Sequence, residues 1–334
     1  MQKIRMAERR RCLGGLLAAA AAFTFPLAAS AAADWPTRPV RIVIAVGPGS
    51  SGDTLARMLA PRLEALWKQP VIVENKPGAG GVLGTEYVAG VTDGHTLLLG
   101  SQSSILPKYT QKGLRFDPLT DLVPVYKMIN YEMVIATNAQ TAKNAATLAD
   151  LVKLSKSTEK GLFFAGTGVS SIFNLSMAIM DQSLGMRYST VDFNNVGAMT
   201  MALIRDDAQV SVNTPSAIKG QIESGAIVPL AAVNPTRYPN LPKLPTLKEA
   251  IDYKGYLPLL WAGFFVPKSM PTDVVKRISA DLLTLANDPA VRAQIESTLT
   301  GTVVRSSPAA FSKEIQEEVG VWQDILRAMN FKPE

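Results

Sequence analysis

The chain has 334 residues, with 34 Lys and Arg against 28 Asp and Glu, one histidine, one cysteine and a formal net charge of +6. Those counts exclude a disulfide within the chain, a cysteine zinc site and a multi-histidine metal site. The positive excess is local: Lys3, Arg5, Arg9, Arg10 and Arg11 against Glu8 put +4 in the first 33 residues, and the 29 bases and 27 acids that follow leave only +2, too weak a field to suggest nucleic acid or a membrane surface as partner.

Residues 1–33 read as a secretory signal. A basic start runs to Arg11, an alanine-rich apolar segment runs from Leu13 to about Ala29, and small residues end in Ala31-Ala32-Ala33 before Asp34. Cleavage after Ala33 removes Cys12, so a thiol nucleophile goes with it. Arg10-Arg11-Cys12-Leu13 leaves the general secretory and twin-arginine routes both open.

After Ala33, apolar runs alternate with amphipathic helical stretches. Arg41–Val46 reads as a buried strand, and a helix follows from about Asp53 to Trp67 with Leu55, Leu59, Leu63 and Leu66 on one face. Strands at Val71–Glu74 and Thr96–Leu99 flank a helix over Gly84–Val91. This is βαβαβ, which predicts a mostly parallel sheet covered by helices on both faces. A second set repeats the arrangement: strands at Met133–Ala136, Leu162–Phe164, Val191–Phe193, Gln209–Val212 and Val228–Val233, with a helix after Thr147 and another over Ser171–Leu184. Three helices close the chain, opening at Pro271-Thr272-Asp273, Asp288-Pro289 and Ser307-Pro308. The expected fold class is therefore α/β, with two α/β lobes around a ligand cleft. The lobe boundaries are 34–134 plus 258–334 for the first and 135–257 for the second.

Three loops join a strand to a helix through small residues, the places where open α/β sheets bind ligands. In the first, Gly47, Pro48, Gly49, Ser50, Ser51 and Asp53 offer backbone amides and hydroxyls at a helix start, a cradle for an anion. Asp53 reads as a helix cap in preference to a ligand contact, because its carboxylate repels an anion. The loop lacks the Gly-Lys-Ser/Thr ending of a phosphate-binding loop. The second, Lys76–Gly84, approximates a dinucleotide fingerprint. Its ribose-binding acid is missing, since the strand about 20 residues on ends in Leu99-Gly100-Ser101, so it reads as a decoy. The third holds Gly166, Thr167, Gly168, Ser170 and Ser171, a cradle like the first but in the second lobe. Ser101 and Ser103, with Ser104, follow the third strand and suit ligand contact or turn-building equally.

Several motifs together resemble the Bug-type periplasmic solute-binding proteins of tripartite tricarboxylate transporters. They are Trp35–Val43, the loop and helix Gly47–Arg57, Val73–Gly81, Asp93–Gly100, Leu241–Thr246 and Trp261–Pro267, in consistent order from about Trp35 to the C-terminus. The resemblance implies a type II periplasmic binding-protein fold, and a cleft in which loop amides, hydroxyls and ordered water hold a carboxylate without a dedicated basic residue. Three stretches depart from the family pattern: Ser50-Ser51-Gly52, Val191-Asp192-Phe193-Asn194-Asn195 in place of Val-Pro-Tyr-Lys-Gly, and Gln209-Val210-Ser211 in place of Gln-Val-Asp. Asn194 and Asn195 are added to the ligand-binding candidates on that alignment, and the departures leave the ligand's identity open.

The expectation is an exported, non-enzymatic, monomeric binding protein without metal or other cofactor. Its partners are a small organic acid and the membrane permease subunits of a tripartite tricarboxylate transporter. A sensor or scavenger role has the same sequence signature. A periplasmic enzyme is disfavoured, because the lone His95 and the missing Gly-x-Ser-x-Gly elbow leave no nucleophilic triad. His95 is expected to pack or face solvent, Trp261 to be core in preference to cleft, Arg205-Asp206-Asp207 to form a solvated turn, and Met177, Met180, Met199 and Met201 to fill the core.

Overall fold

A computed structural model describes residues 34–157, 159–168, 171–328 and 330–333. The signal reading of residues 1–33 and the candidate Ser170 lie outside the described residues. The fold belongs to the compact unit Pro36–Glu334.

Strand β1 (Val40–Ile44) buries every residue except Arg41, because β2 (Val71–Asn75) and β3 (Thr96–Gly100) pair with it in parallel on its two sides. Between β1 and β2 runs helix α1 (Ser51–Trp67), and between β2 and β3 runs α2 (Val82–Ala89). Leu55, Leu59, Leu63 and Trp67 are the large apolar residues that α1 buries, while Leu66 is 39% exposed. The last turn presents Trp67 to the interior, where its Nε1 donates to Asp281 at 2.8 Å.

The chain continues through β4 (Leu122–Tyr131), β5 (Val134–Asn138), α3 (Leu148–Ser157), β6 (Leu162–Gly166), α4 (Ile172–Leu184), β7 (Tyr188–Asp192), α5 (Val196–Ile204), β8 (Val210–Asn213) and β9 (Ile227–Ala232). It closes with β10 (Leu260–Pro267), α6 (Thr272–Asn287), α7 (Pro289–Leu299), β11 (Gly301–Val303) and α8 (Pro308–Ala328). Two sheets result, in the orders β11-β4-β10-β3-β1-β2 and β7-β6-β8-β5-β9. Both are mixed, which corrects the expectation of mostly parallel sheets. The βαβ portions pair in parallel, but β10 and β4 enter the first sheet antiparallel to their neighbours, and β5 does the same in the second.

Strand β4, absent from the sequence reading, has ten residues and a proline. Pro124 lies opposite Phe265, where the β4–β10 register shifts, so its missing N–H falls at an irregularity in the ladder. Separate cores back the two sheets. Val43, Leu98, Trp261, Phe265 and Phe311 meet behind the first, and Val134, Ala136, Leu203, Ile218 and Tyr238 behind the second. Met177, Met180 and Met199 are fully buried as expected, whereas Met201 is 44% exposed.

The chain passes between sheets twice, through residues 132–133 and 233–259. At the first passage Tyr238 clamps the backbone of Met133, its hydroxyl donating to the carbonyl at 2.7 Å and accepting from the amide at 3.0 Å. Beside it, Glu132 is half-buried with Oε2 unpaired among the described residues, and burial pushes its carboxyl up to about 7.

Candidate functional site

A cavity of about 280 Å³ opens where the carboxyl ends of β1, β3 and β4 from the first sheet meet those of β7 and β8 from the second. This is the position at which open α/β sheets bind ligands. Among the described residues its lining has one charged side chain, Asp192, and no lysine, arginine or histidine.

Of the first loop, Gly47, Ser50 and Ser51 line the cavity. Ser50 is the N-cap of α1, its Oγ accepting from the Asp53 amide at 3.2 Å, so the cap is Ser50 and the expectation for Asp53 is corrected. Asp53 instead turns away from the cavity: its carboxylate accepts from the Gly49 amide at 3.0 Å and from Arg57 Nε at 3.0 Å. Burial works to raise its pKa, but Arg57 and the Gly49 amide outweigh that and hold it below the ordinary aspartate value. Pro48 and Gly49 also fall outside the lining. The amides of Ser50, Ser51 and Gly52 have no partner among the described residues, so the positive end of a 17-residue helix is left facing the cavity.

The second loop, discounted as a decoy, supplies Pro77, Gly78, Ala79, Gly80 and Gly81 to the wall. Four consecutive residues have positive φ, 136° at Gly78, 47° at Ala79, 64° at Gly80 and 104° at Gly81. Glycine adopts such values readily, and three of the four are glycine. The dinucleotide pattern matches this loop because both are runs of glycine that leave the backbone open to the space beside it.

The third loop behaves differently from the first. Thr167, Gly168 and Ser171 line the cavity, but the described backbone amides of this loop are already engaged. The Thr167 amide donates to Asn174 Oδ1 and the Gly168 amide to Asp192 Oδ1, both at 2.9 Å, and Thr167 Oγ1 donates to Ser171 Oγ at 2.7 Å. Ser171 caps α4 through the Phe173 amide. Gly166 lies behind the wall; a Cβ there would stand 2.4 Å from both Asn174 Oδ1 and Asp192 Oδ1, so only glycine admits this arrangement. Asp192 was passed over in the sequence reading, although it sits in the stretch that departs from the family pattern.

Ser101 and Ser103 line the cavity and also build the turn after β3, Ser101 Oγ accepting from the Ser103 amide. Asn194 and Asn195 both line it; Asn195 caps α5 through the Ala198 amide at 2.9 Å. Trp261 combines the two roles weighed for it: 2% exposed, it packs against Phe265 and Phe311, donates from Nε1 to Glu318, and presents part of its surface to the cavity. Tyr131, Phe173, Phe193 and Thr214 complete a wall that sequence patterning had not picked out. His95 lies elsewhere, its Nε2 accepting from the Thr37 amide at 3.2 Å. Arg205-Asp206-Asp207 is an exposed turn, but Asp206 also holds Asn138 Nδ2 at 2.8 Å.

Contacts cross the cavity between the two halves. Ser51 Oγ is 2.7 Å from Thr214 Oγ1 and 2.9 Å from Ser216 Oγ, and the Ile172 amide donates to Ser103 Oγ at 3.3 Å. Gly47 faces Asn195 so closely that a Cβ on Gly47 would lie 2.8 Å from the asparagine Cβ. The cleft is therefore shut in this structure.

Comparison with known proteins gives a consistent result. BugT of Bordetella pertussis is 26% identical over 321 residues, covering 95% of this chain and 96% of its own. The solved structure of the periplasmic binding protein BugD superposes with a TM-score of 0.83 at 25% identity, covering 90% of this chain and 100% of its own. R. palustris Rpa4515 with adipate superposes with a TM-score of 0.84 at 24% identity, covering 90% of this chain and 100% of its own, a likeness of fold. The model of the tripartite tricarboxylate transporter family receptor, TctC, matches residues 55–331, and the chain belongs to that family.

Proposed function

We propose that this protein is an exported receptor that captures a small organic acid between its two lobes and presents it to the permease subunits of a tripartite tricarboxylate transporter, without catalysis. The observation that carries the reading is the cavity itself, where unpaired amides at the start of α1 meet a ring of hydroxyls and no basic side chain is present among the described residues. A carboxylate there gains roughly 0.3–1 kcal/mol from the helix end, and more as closure excludes water. Family membership and the adipate carried by a neighbour of the same fold support the ligand class.

The lobes are residues 34–134 with 258–334, and 135–257, a division supported by the distribution of strands between the sheets. Gly47, Ser50, Ser51, Ser101 and Ser103 contribute from the first lobe, and Thr167, Gly168, Ser171, Asn194 and Asn195 from the second. Opening is a hinge motion about the two passages between the sheets. The signal reading and the family support a periplasmic localisation; no helix among the described residues is long and apolar enough to cross a membrane.

Calorimetric and thermal-shift titration of the protein lacking residues 1–33 against mono-, di- and tricarboxylates, amino acids and aromatic acids is the test. Saturable binding of at least one organic acid is expected, and silence across the whole panel overturns the reading.

A further inference from the structure

The two halves of the cavity are unlike in polarity. On the first-lobe side the amides of Ser50, Ser51 and Gly52 are unpaired among the described residues. On the second-lobe side the corresponding cradle already holds a carboxylate, the protein's own. Asp192 Oδ1 accepts from the Gly168 amide at 2.9 Å and from Asn174 Nδ2 at 2.7 Å, and the Thr167 amide is taken by Asn174 Oδ1. Gly168 and Asp192 are both at the cavity wall, and the backbone of Gly168 lies against Gly80 of the second loop. No lysine, arginine or histidine of the described lining offsets the negative charge.

Given the organic-acid reading above, on which this inference rests, we propose that the ligand is a monocarboxylate: its one carboxylate takes the first-lobe cradle, and an uncharged end faces Asp192. Asp192 is itself exposed, so water screens it in part, but a second carboxylate still meets an anion where a dicarboxylate receptor needs a donor, and like charges brought together repel. The apolar parts of Ile172, Phe173, Phe193 and Trp261 at the wall suit an aliphatic or aromatic body between the two ends. The second oxygen of Asp192 has no bond to the described protein, so it accepts a hydroxyl or ammonium hydrogen from a ligand that carries one.

Matched pairs that differ only in the second carboxylate test this. Hexanoate against adipate, and benzoate against terephthalate, are titrated calorimetrically into the wild-type protein and into Asp192→Asn, whose amide oxygen still accepts from Gly168. In each pair that binds, the monocarboxylate is expected to be at least about tenfold tighter with the wild type, and Asp192→Asn to shrink that ratio to within about threefold. Should Asp192→Asn fail to give a cooperative melt, Asp192→Ser is the second variant, with the same expected loss of discrimination. Equal or tighter dicarboxylate binding by the wild type overturns the inference and leaves the organic-acid reading standing, as does an unchanged ratio in a folded variant. Silence with all four acids and with the wider panel refutes both.

Discussion

Gly47→Ala isolates cleft closure from folding. Gly47 has ordinary negative φ, so alanine brings no backbone strain, and its Cβ meets a single group, Asn195, at 2.8 Å to Cβ and 3.5 Å to Cγ. Comfortable carbon–carbon contact is about 3.5–4.0 Å, so the two loops must part by roughly 1 Å. Overpacking of that kind costs about 1–3 kcal/mol, which is about 5- to 150-fold in Kd if the whole cost falls on the closed state. Because Gly47 and Asn195 stand on opposite sides of the cleft, the open, ligand-free protein is relieved of the clash. Calorimetry with whichever acid binds best should therefore show the weakened Kd, while the ligand-free melting temperature stays within about 1 °C of wild type. Adding Asn195→Gly, whose cap loss costs only a few tenths of a kcal/mol, should remove the clash and recover part of the affinity, the shortfall being what the Asn195 side chain contributes to the ligand. An unchanged Kd in Gly47→Ala would refute this reasoning, since it would mean that the bound state does not bring these residues together. A large fall in ligand-free stability would refute it differently, by showing that the contact belongs to the fold.

Thr214→Val removes the hydroxyl that faces Ser51 across the cleft at 2.7 Å, and a net hydrogen bond of about 0.5–1.5 kcal/mol gives a Kd about two- to twelvefold weaker by calorimetry, with unliganded stability unchanged. Ser50→Ala removes the cap of α1 and should lower the melting temperature by about 1–2 °C for a loss of about 1 kcal/mol. Glu132 gives a pH effect of defined sign. Its folded pKa, raised to about 7 by burial, exceeds the unfolded value of 4.5, so the folded state binds the proton more tightly; stability is highest below about pH 4.5 and declines as pH rises through about 7. Discounted for partial exposure, the decline is about 1–2 kcal/mol, and denaturant titrations of Glu132→Gln across that window should lack it.

The βαβ core was legible because its signals are local. Buried runs such as Val40–Ile44 and Thr96–Gly100 stand beside caps and glycine turns, and Thr147 caps its helix as read, accepting from the Asp150 amide at 3.1 Å. Strand β4 was not legible, since Lys127, 2% exposed, looks like a surface residue until Glu314 of α8 is brought over it to form their ion pair. In the site, the amides of the first loop could be anticipated from small residues ahead of a helix. The place of the second loop in the cavity wall was not legible, because its glycines match a nucleotide pattern whose ribose-binding acid is missing. That the third cradle is already filled depends on Asp192 lying 24 positions after Gly168 at the end of a neighbouring strand, a proximity that only the β6–β7 pairing creates.

The unpaired amides at the start of α1 also bear on how such a receptor changes its ligand over evolutionary time. A main-chain N–H survives almost every substitution, so the half of the cavity proposed to hold an anion is shielded from mutation so long as the turn keeps its shape. Variation is then channelled to the opposite wall, where Asp192, Asn194, Asn195 and Thr214 reach the cavity with side chains that single codon changes can replace. Under the proposed function, one half of the cleft fixes that an acid is bound, and the other is free to choose which.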